Sequence, residues 1–227
     1  MSEKDKQYVY KRMLELGWDG IAWCTTLPGS MLPTVPPFKP NPTINLPPKL
    51  CKDAMVTRNL VQSDDEHMDS AVKQWSRLTI ILDEVVDAQS LTVGNEFIKN
   101  YDIVAACPGN AKVFSYLCKT ADIDIIAIDF THRVMFPMNK KLIDEAVSRG
   151  IFFELNYSPL VQGGTSRKEM LAGTKVLIQF LRGRNIILSS GCDGYLNLRG
   201  PHDVMNMAQV LNMNRQQARD TVNGNCK

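Results

Sequence analysis

Phe152-Phe153-Glu154-Leu155-Asn156-Tyr157-Ser158-Pro159 is followed, after a helical stretch, by Asn185-Ile186-Ile187-Leu188-Ser189-Ser190-Gly191 and then by Leu198-Arg199-Gly200-Pro201-His202-Asp203-Val204. The order is a buried strand, a crossover helix, a second buried strand and a basic loop that opens a helix. Polar residues stand at the carboxyl ends of both strands, where α/β proteins carry their working surface.

Upstream, the same grammar repeats. Leu78-Thr79-Ile80-Ile81-Leu82, Asp102 to Cys107 and Ile123 to Asp129 are short apolar runs, the second stopped by Pro108-Gly109. Runs that are nearly all apolar belong to strands buried on both faces, as parallel strands are. Between the runs, Lys112 to Cys118 and Leu142 to Val147 space their apolar residues as helices do. Strands alternating with helices give right-handed βαβ units. The helix before Asn185 is expected to start at a Ser166/Glu169 capping box, with Met170, Leu171, Thr174, Leu177, Ile178 and Leu181 forming its apolar stripe. Gly163-Gly164 reads as a plain turn, because it lacks the spacing of a phosphate-cradling loop.

Toward the amino end, Lys4 to Leu16 reads as a helix ended by Gly17, and Gly20 to Cys24 as a short strand. Leu27 to Pro48 holds 8 of the 12 prolines, which predicts a long extended loop instead of a helix or central strand. Leu50 to Asp69 is weakly patterned, and Asp64-Asp65-Glu66 reads as a solvated turn. With 227 residues, the sequence fits one domain over 1–227 and is short for two.

Composition narrows the function classes. The chain is 44% hydrophobic and 22% charged, an ordinary balance for a globular protein. No apolar run approaches the roughly 18 residues of a membrane span, and the charged Met1 to Lys6 segment does not read as a secretory signal. The six cysteines form no Cys-x-x-Cys pair, so reduced thiols of the cytosol or nucleus are expected. Net charge is only +2, yet residues 1–130 carry 13 Lys/Arg against 17 Asp/Glu, and residues 131–227 carry 13 against 7. Either solvated helix faces account for that excess, or a basic surface in the second half meets an anionic partner.

Catalytic patterns are thin. The three histidines, His67, His132 and His202, form neither His-x-His nor His-Glu-x-x-His. Asp129 and Glu154 end or interrupt buried strands and could face a barrel mouth. Two carboxylates and one histidine are few for a two-metal phosphoesterase. No Gly-x-Ser-x-Gly occurs either.

A resemblance rests on several of these motifs together. Arg77-Leu78-Thr79-Ile80, the Phe153 to Pro159 segment, Ile186 to Gly191, Leu198 to Val204 and Asn223-Gly224-Asn225-Cys226 stand in the order of one family. The chain resembles the thirty-kilodalton protein subunit of ribonuclease P and ribonuclease MRP, well over residues 75 to 227 and more loosely through Leu16-Gly17-Trp18. This implies a TIM-like α/β barrel, related to metal-dependent phosphoesterases but without their metal site or any cofactor. It also implies binding to the ribonuclease P/MRP RNA, which itself cleaves 5′ leaders from precursor tRNA. The expected partners are a small subunit of ferredoxin-like fold and other subunits of the complex, with no membrane, in the nucleus and nucleolus. Family members begin with an acidic strand ahead of the first helix, so a barrel lacking its first strand is expected here, either open at one side, closed by a partner, or a truncated form. They also continue past Cys226 with a basic tail.

Arg199 is the first candidate for RNA contact. It lies in the matching Leu-Arg-Gly-Pro motif, just before a helix that Pro201 is suited to start, and a guanidinium binds phosphate bidentately. A structural clamp is the competing reading of Arg199. Arg219, Arg182, Arg184 and Arg133 are second candidates, each weighed against a solvated surface charge. The alternative function is a metal-dependent phosphoesterase barrel.

Overall fold

A computed structural model describes residues 3–31, 73–91, 96–192 and 194–226. The prolines after Pro28 within the expected loop, the stretch from Leu50 to Asp69, His67 and Cys51 lie outside them. The elements are α1 (Glu3–Leu16), β1 (Gly20–Pro28), β2 (Lys73–Leu82), α2 (Val85–Ala88), α3 (Glu96–Lys99), β3 (Ile103–Pro108), α4 (Ala111–Lys119), β4 (Ile125–Ala127) and α5 (Lys140–Ser148). There follow β5 (Phe152–Asn156), α6 (Ser158–Gln162), α7 (Gly164–Leu181), β6 (Ile186–Ser189), α8 (Pro201–Val210) and α9 (Arg215–Asp220).

The six strands lie in sequence order, every neighbouring pair parallel. They curl into a half-barrel flanked by helices. A closed TIM barrel has eight strands, so the strands among the described residues form an incomplete barrel, as expected. One edge of the sheet is covered. Along β6 the backbone of Leu188 donates to the Thr221 carbonyl at 3.2 Å, and the Asn225 side chain donates to the Ile186 carbonyl at 2.8 Å. The segment after α9 thus covers that edge, which would otherwise offer unpaired groups for aggregation.

The pleat sorts side chains between two faces. Val104 and Ala106, Ile126 and Ile128, Phe153 and Leu155, and Ile186 and Leu188 join one core cluster with the helices, including Phe114, Leu117, Ile143, Leu177 and Val204. Their alternates turn to the concave side. A smaller cluster of Val9, Tyr10, Leu14, Trp23 and Leu198 ties α1 and β1 to the loop after β6.

Several elements differ from the sequence expectation. β1 runs on to Pro28, with Leu27 opposite Ile80, so the first residues of the Pro-rich stretch are strand. Pro28 is tolerated there because it ends a strand at the sheet's margin. The Ser166/Glu169 capping box does not form: α7 starts two residues before Ser166, and its N-cap is Gly163 with no capping side chain. Gly163 has φ +85°, a left-handed conformation favoured by glycine, and the turn it makes after α6 lets the helix begin early. β4 is only three residues long, shorter than Ile123 to Asp129. At the entry to that run Asp124 still bonds both neighbouring segments through its backbone and also accepts from the Val104 backbone with its carboxylate at 2.8 Å, whereas at the exit Asp129 folds onto Thr131. α8 does begin at Pro201.

Candidate nucleic-acid interface

Among the described residues, the concave face carries one buried charge pair. Arg77, on β2 beside Cys24 of β1, alternates with Leu78 and Ile80 of the core and so faces inward. Its guanidinium crosses the face to Glu154 on β5. Nη1 donates to Oε1, and Nη2 donates to Oε2 at 2.6 Å, a bidentate pair. Ala105 and Ala127, small residues on β3 and β4, occupy the strands between. Arg77 Nε donates to Thr79 Oγ1 at 3.1 Å, and Thr79 Oγ1 lies 3.1 Å from Cys24 Sγ. A polar network therefore spans the face from β5 to β1. Burial alone would lower the Arg77 pKa; the hydrogen bonds and charge of Glu154 outweigh it and raise the pKa. The Glu154 side chain is only 2% exposed, so the carboxylate is committed to this partner.

That commitment bears on the mouth above it. Asp129 accepts from the backbone and hydroxyl of Thr131 at 2.8 and 2.6 Å, and its other oxygen is 3.8 Å from His132 Nδ1. Ser189 donates to Asn156 Oδ1 at 2.6 Å, an internal bond across the mouth. Gly191 has φ +55°, and a Cβ there would meet Asn156 Cγ at 2.5 Å, so only glycine closes this corner. Among the described residues no three His, Cys, Asp or Glu side chains gather in a group able to hold a metal.

The five candidate arginines fall at two ends of the sheet. Arg199 and Arg133 stand beyond the carboxyl ends of β6 and β4. Arg199 is firmly held: its N–H donates to Tyr157 Oη at 3.2 Å, and its carbonyl accepts from Trp18 Nε1 at 2.9 Å. Its Nη1 donates to the carbonyls of Leu196 and Leu198 at 3.0 and 2.9 Å. A guanidinium has five N–H donors, so the clamp leaves donors for a second acceptor. Tyr157 is 2% exposed, and burial, the largest influence, raises its pKa; it serves as a neutral post for the loop. Arg133 lies exposed on the loop between β4 and α5, next to the 87% exposed Met135.

Arg182, Arg184 and Arg219 are at the opposite end. Arg182 and Arg184 flank Gly183 in the turn that enters β6, and all three candidates are exposed. The Gln217 side chain of α9 donates to the Arg182 carbonyl at 2.7 Å, which seats the helix of Arg219 against this turn. Arg215, which begins α9, joins the group and was not singled out from the sequence. By contrast, Arg149 spends its guanidinium on the carbonyls of Leu117, Cys118 and Ala121.

Known proteins share this sequence pattern and this fold. The family model described as "RNase P subunit p30" matches residues 2–227. The protein GAMETOPHYTE DEFECTIVE 1 of Arabidopsis thaliana is 33% identical over 220 residues, 95% of this chain and 37% of that protein. Ribonuclease P protein subunit p30 of Mus musculus is 31% identical over 156 residues, 69% of this chain and 58% of that protein. The chain thus matches well under two thirds of the length of these relatives. A chain in the cryo-EM structure of archaeal ribonuclease P with mature tRNA shares the fold at a TM-score of 0.64 and 14% identity, covering 100% of this chain and 87% of that one.

Proposed function

This chain belongs to the RNase P subunit p30 family, and we propose that it is a non-catalytic RNA-binding subunit of ribonuclease P, ribonuclease MRP or both. The observation that carries this reading is the Arg77–Glu154 pair. It holds a fixed protein cation on the concave face and commits the carboxylate that a phosphoesterase barrel would offer to a metal. The metal-dependent alternative is not favoured. What remains accessible is positive charge: exposed arginines at both ends of the sheet, suited to phosphate oxygens. In this reading the RNA subunit cleaves the 5′ leader of precursor tRNA, and the chain supplies charge and positioning. Its other partners are protein subunits of the same complex, including a small one of ferredoxin-like fold, and the complex works in the nucleus and nucleolus.

Arg199, Arg133, Arg182, Arg184 and Arg219 are the proposed RNA contacts. Arg199 is the first test, because its backbone is anchored on two sides and its side chain is presented from a fixed loop. Arg199→Ala is expected to lower affinity for ribonuclease P RNA at moderate salt and to reduce the slope of log K against log salt by about 0.7–0.9, the signature of one lost phosphate contact. Trp18→Phe serves as the control: it removes the hydrogen bond to the Arg199 carbonyl and leaves the charge. A salt slope unchanged in Arg199→Ala would remove Arg199 from the interface.

A further inference from the structure

The geometry points to a second RNA-backbone site at the amino end of β6, built from Arg182, Arg184, Arg215 and Arg219 and separate from the Arg199 end. The inference rests on the RNA-binding reading above and deepens it: the RNA is held at two opposite ends of the sheet.

The four arginines are exposed and belong to two segments that the fold locks together. Gln217 makes the lock with both ends of its amide. Its Oε1 accepts from the Asn214 backbone at 2.9 Å while its backbone N–H donates to Asn214 Oδ1 at 2.9 Å, a complete capping box. Its Nε2 donates to the Arg182 carbonyl at 2.7 Å. Gly183, at φ +68°, lets the turn approach so closely that a Cβ there would lie 2.4 Å from Gln217 Cδ.

Two features at this end carry a local cost that an anionic partner would offset. Arg182 caps α7 in the left-handed conformation, φ 52° and ψ 34°, where glycine is the favoured residue. Arg215 and Arg219 are four apart on α9, so like charges share one face, which weakens a helix. No ion pair neutralises any of the four among the described residues. The acid on the same helix, Asp220, accepts instead from the Gln216 side chain at 2.9 Å. Exposed guanidinium groups carried by one short helix and the adjoining turn, with no ion partner among the described residues, suit successive phosphates of an RNA strand.

The test uses the whole chain and ribonuclease P RNA, with salt-dependent binding and hydroxyl-radical footprinting as readouts. Arg182→Gly is expected to leave the melting temperature unchanged or higher, since glycine suits that conformation, and yet to weaken RNA binding. The variant combining Arg182→Gly with Arg184→Gln, Arg215→Gln and Arg219→Gln is expected to lower the salt slope by about 3 and affinity about 100-fold. It should erase one protected RNA segment and keep the segment protected by the Arg199 end. If wild type binds and the combined variant matches it in slope and footprint, the second site is wrong while the RNA-binding reading stands. The site is equally wrong if the variant keeps its footprint and loses only a protein partner. If wild type itself protects no RNA, the underlying reading fails.

Discussion

Glu154→Ala is expected to cost the protein about 3–5 kcal/mol, because it leaves the Arg77 guanidinium charged inside the sheet with its main partner gone. The Arg77 side chain is 12% exposed and Glu154 2%, so water cannot replace the lost carboxylate without opening the concave face. Thr79 Oγ1 remains as an acceptor for Nε alone. Equilibrium unfolding in urea measures the loss. Replacing both partners, Arg77→Met with Glu154→Leu, should recover most of it, since neither charge is then buried alone. A loss below about 1 kcal/mol for Glu154→Ala, in the range of an exposed pair, would mean that the concave face is hydrated and the cation not fixed.

RNA binding is expected to be steeply salt-dependent. Arg199 and Arg133 at one end and Arg182, Arg184, Arg215 and Arg219 at the other could make about six phosphate contacts. Neutralising that many releases enough counterions to weaken binding about 10³-fold between 50 and 200 mM salt, or roughly 4 kcal/mol. Fluorescence anisotropy of labelled ribonuclease P RNA, titrated with the chain at several salt concentrations, reads the slope directly. A loss of only a few-fold over that range would assign binding to one or two charges and contradict a broad basic interface.

The sheet was legible because its evidence is local. Ile103 to Cys107, Phe152 to Asn156 and Ile186 to Ser189 are short runs dominated by apolar residues, broken only by Glu154, and Pro108 or a polar residue stops each run. The helices between them follow from spacing, and Pro201 marks the start of α8. What could not be read was which charged residues meet. Arg77 and Glu154 are 77 residues apart, and only the curl of the sheet brings them together. The apolar run after Arg77 marks it as a strand residue without naming its partner, and nothing in the flanks of Arg149, locked by internal acceptors, distinguishes it from the exposed Arg182 or Arg215. Arg199 carried both readings in the sequence; its geometry displays the clamp, with one nitrogen donating to two loop carbonyls. The Ser166/Glu169 pattern misled because such pairs also occur inside helices. The left-handed glycine at 163 sets the start of α7.

Whether the RNA or the protein performs the chemistry is decided by leader release from precursor tRNA, followed with the purified chain alone and with the ribonucleoprotein assembled from the same chain. Release is expected only when the RNA subunit is present, with no cleavage by the chain alone even when Mn²⁺ or Zn²⁺ is supplied. Cleavage by the chain alone, abolished by Glu154→Gln in a variant that still folds, would contradict a non-catalytic role.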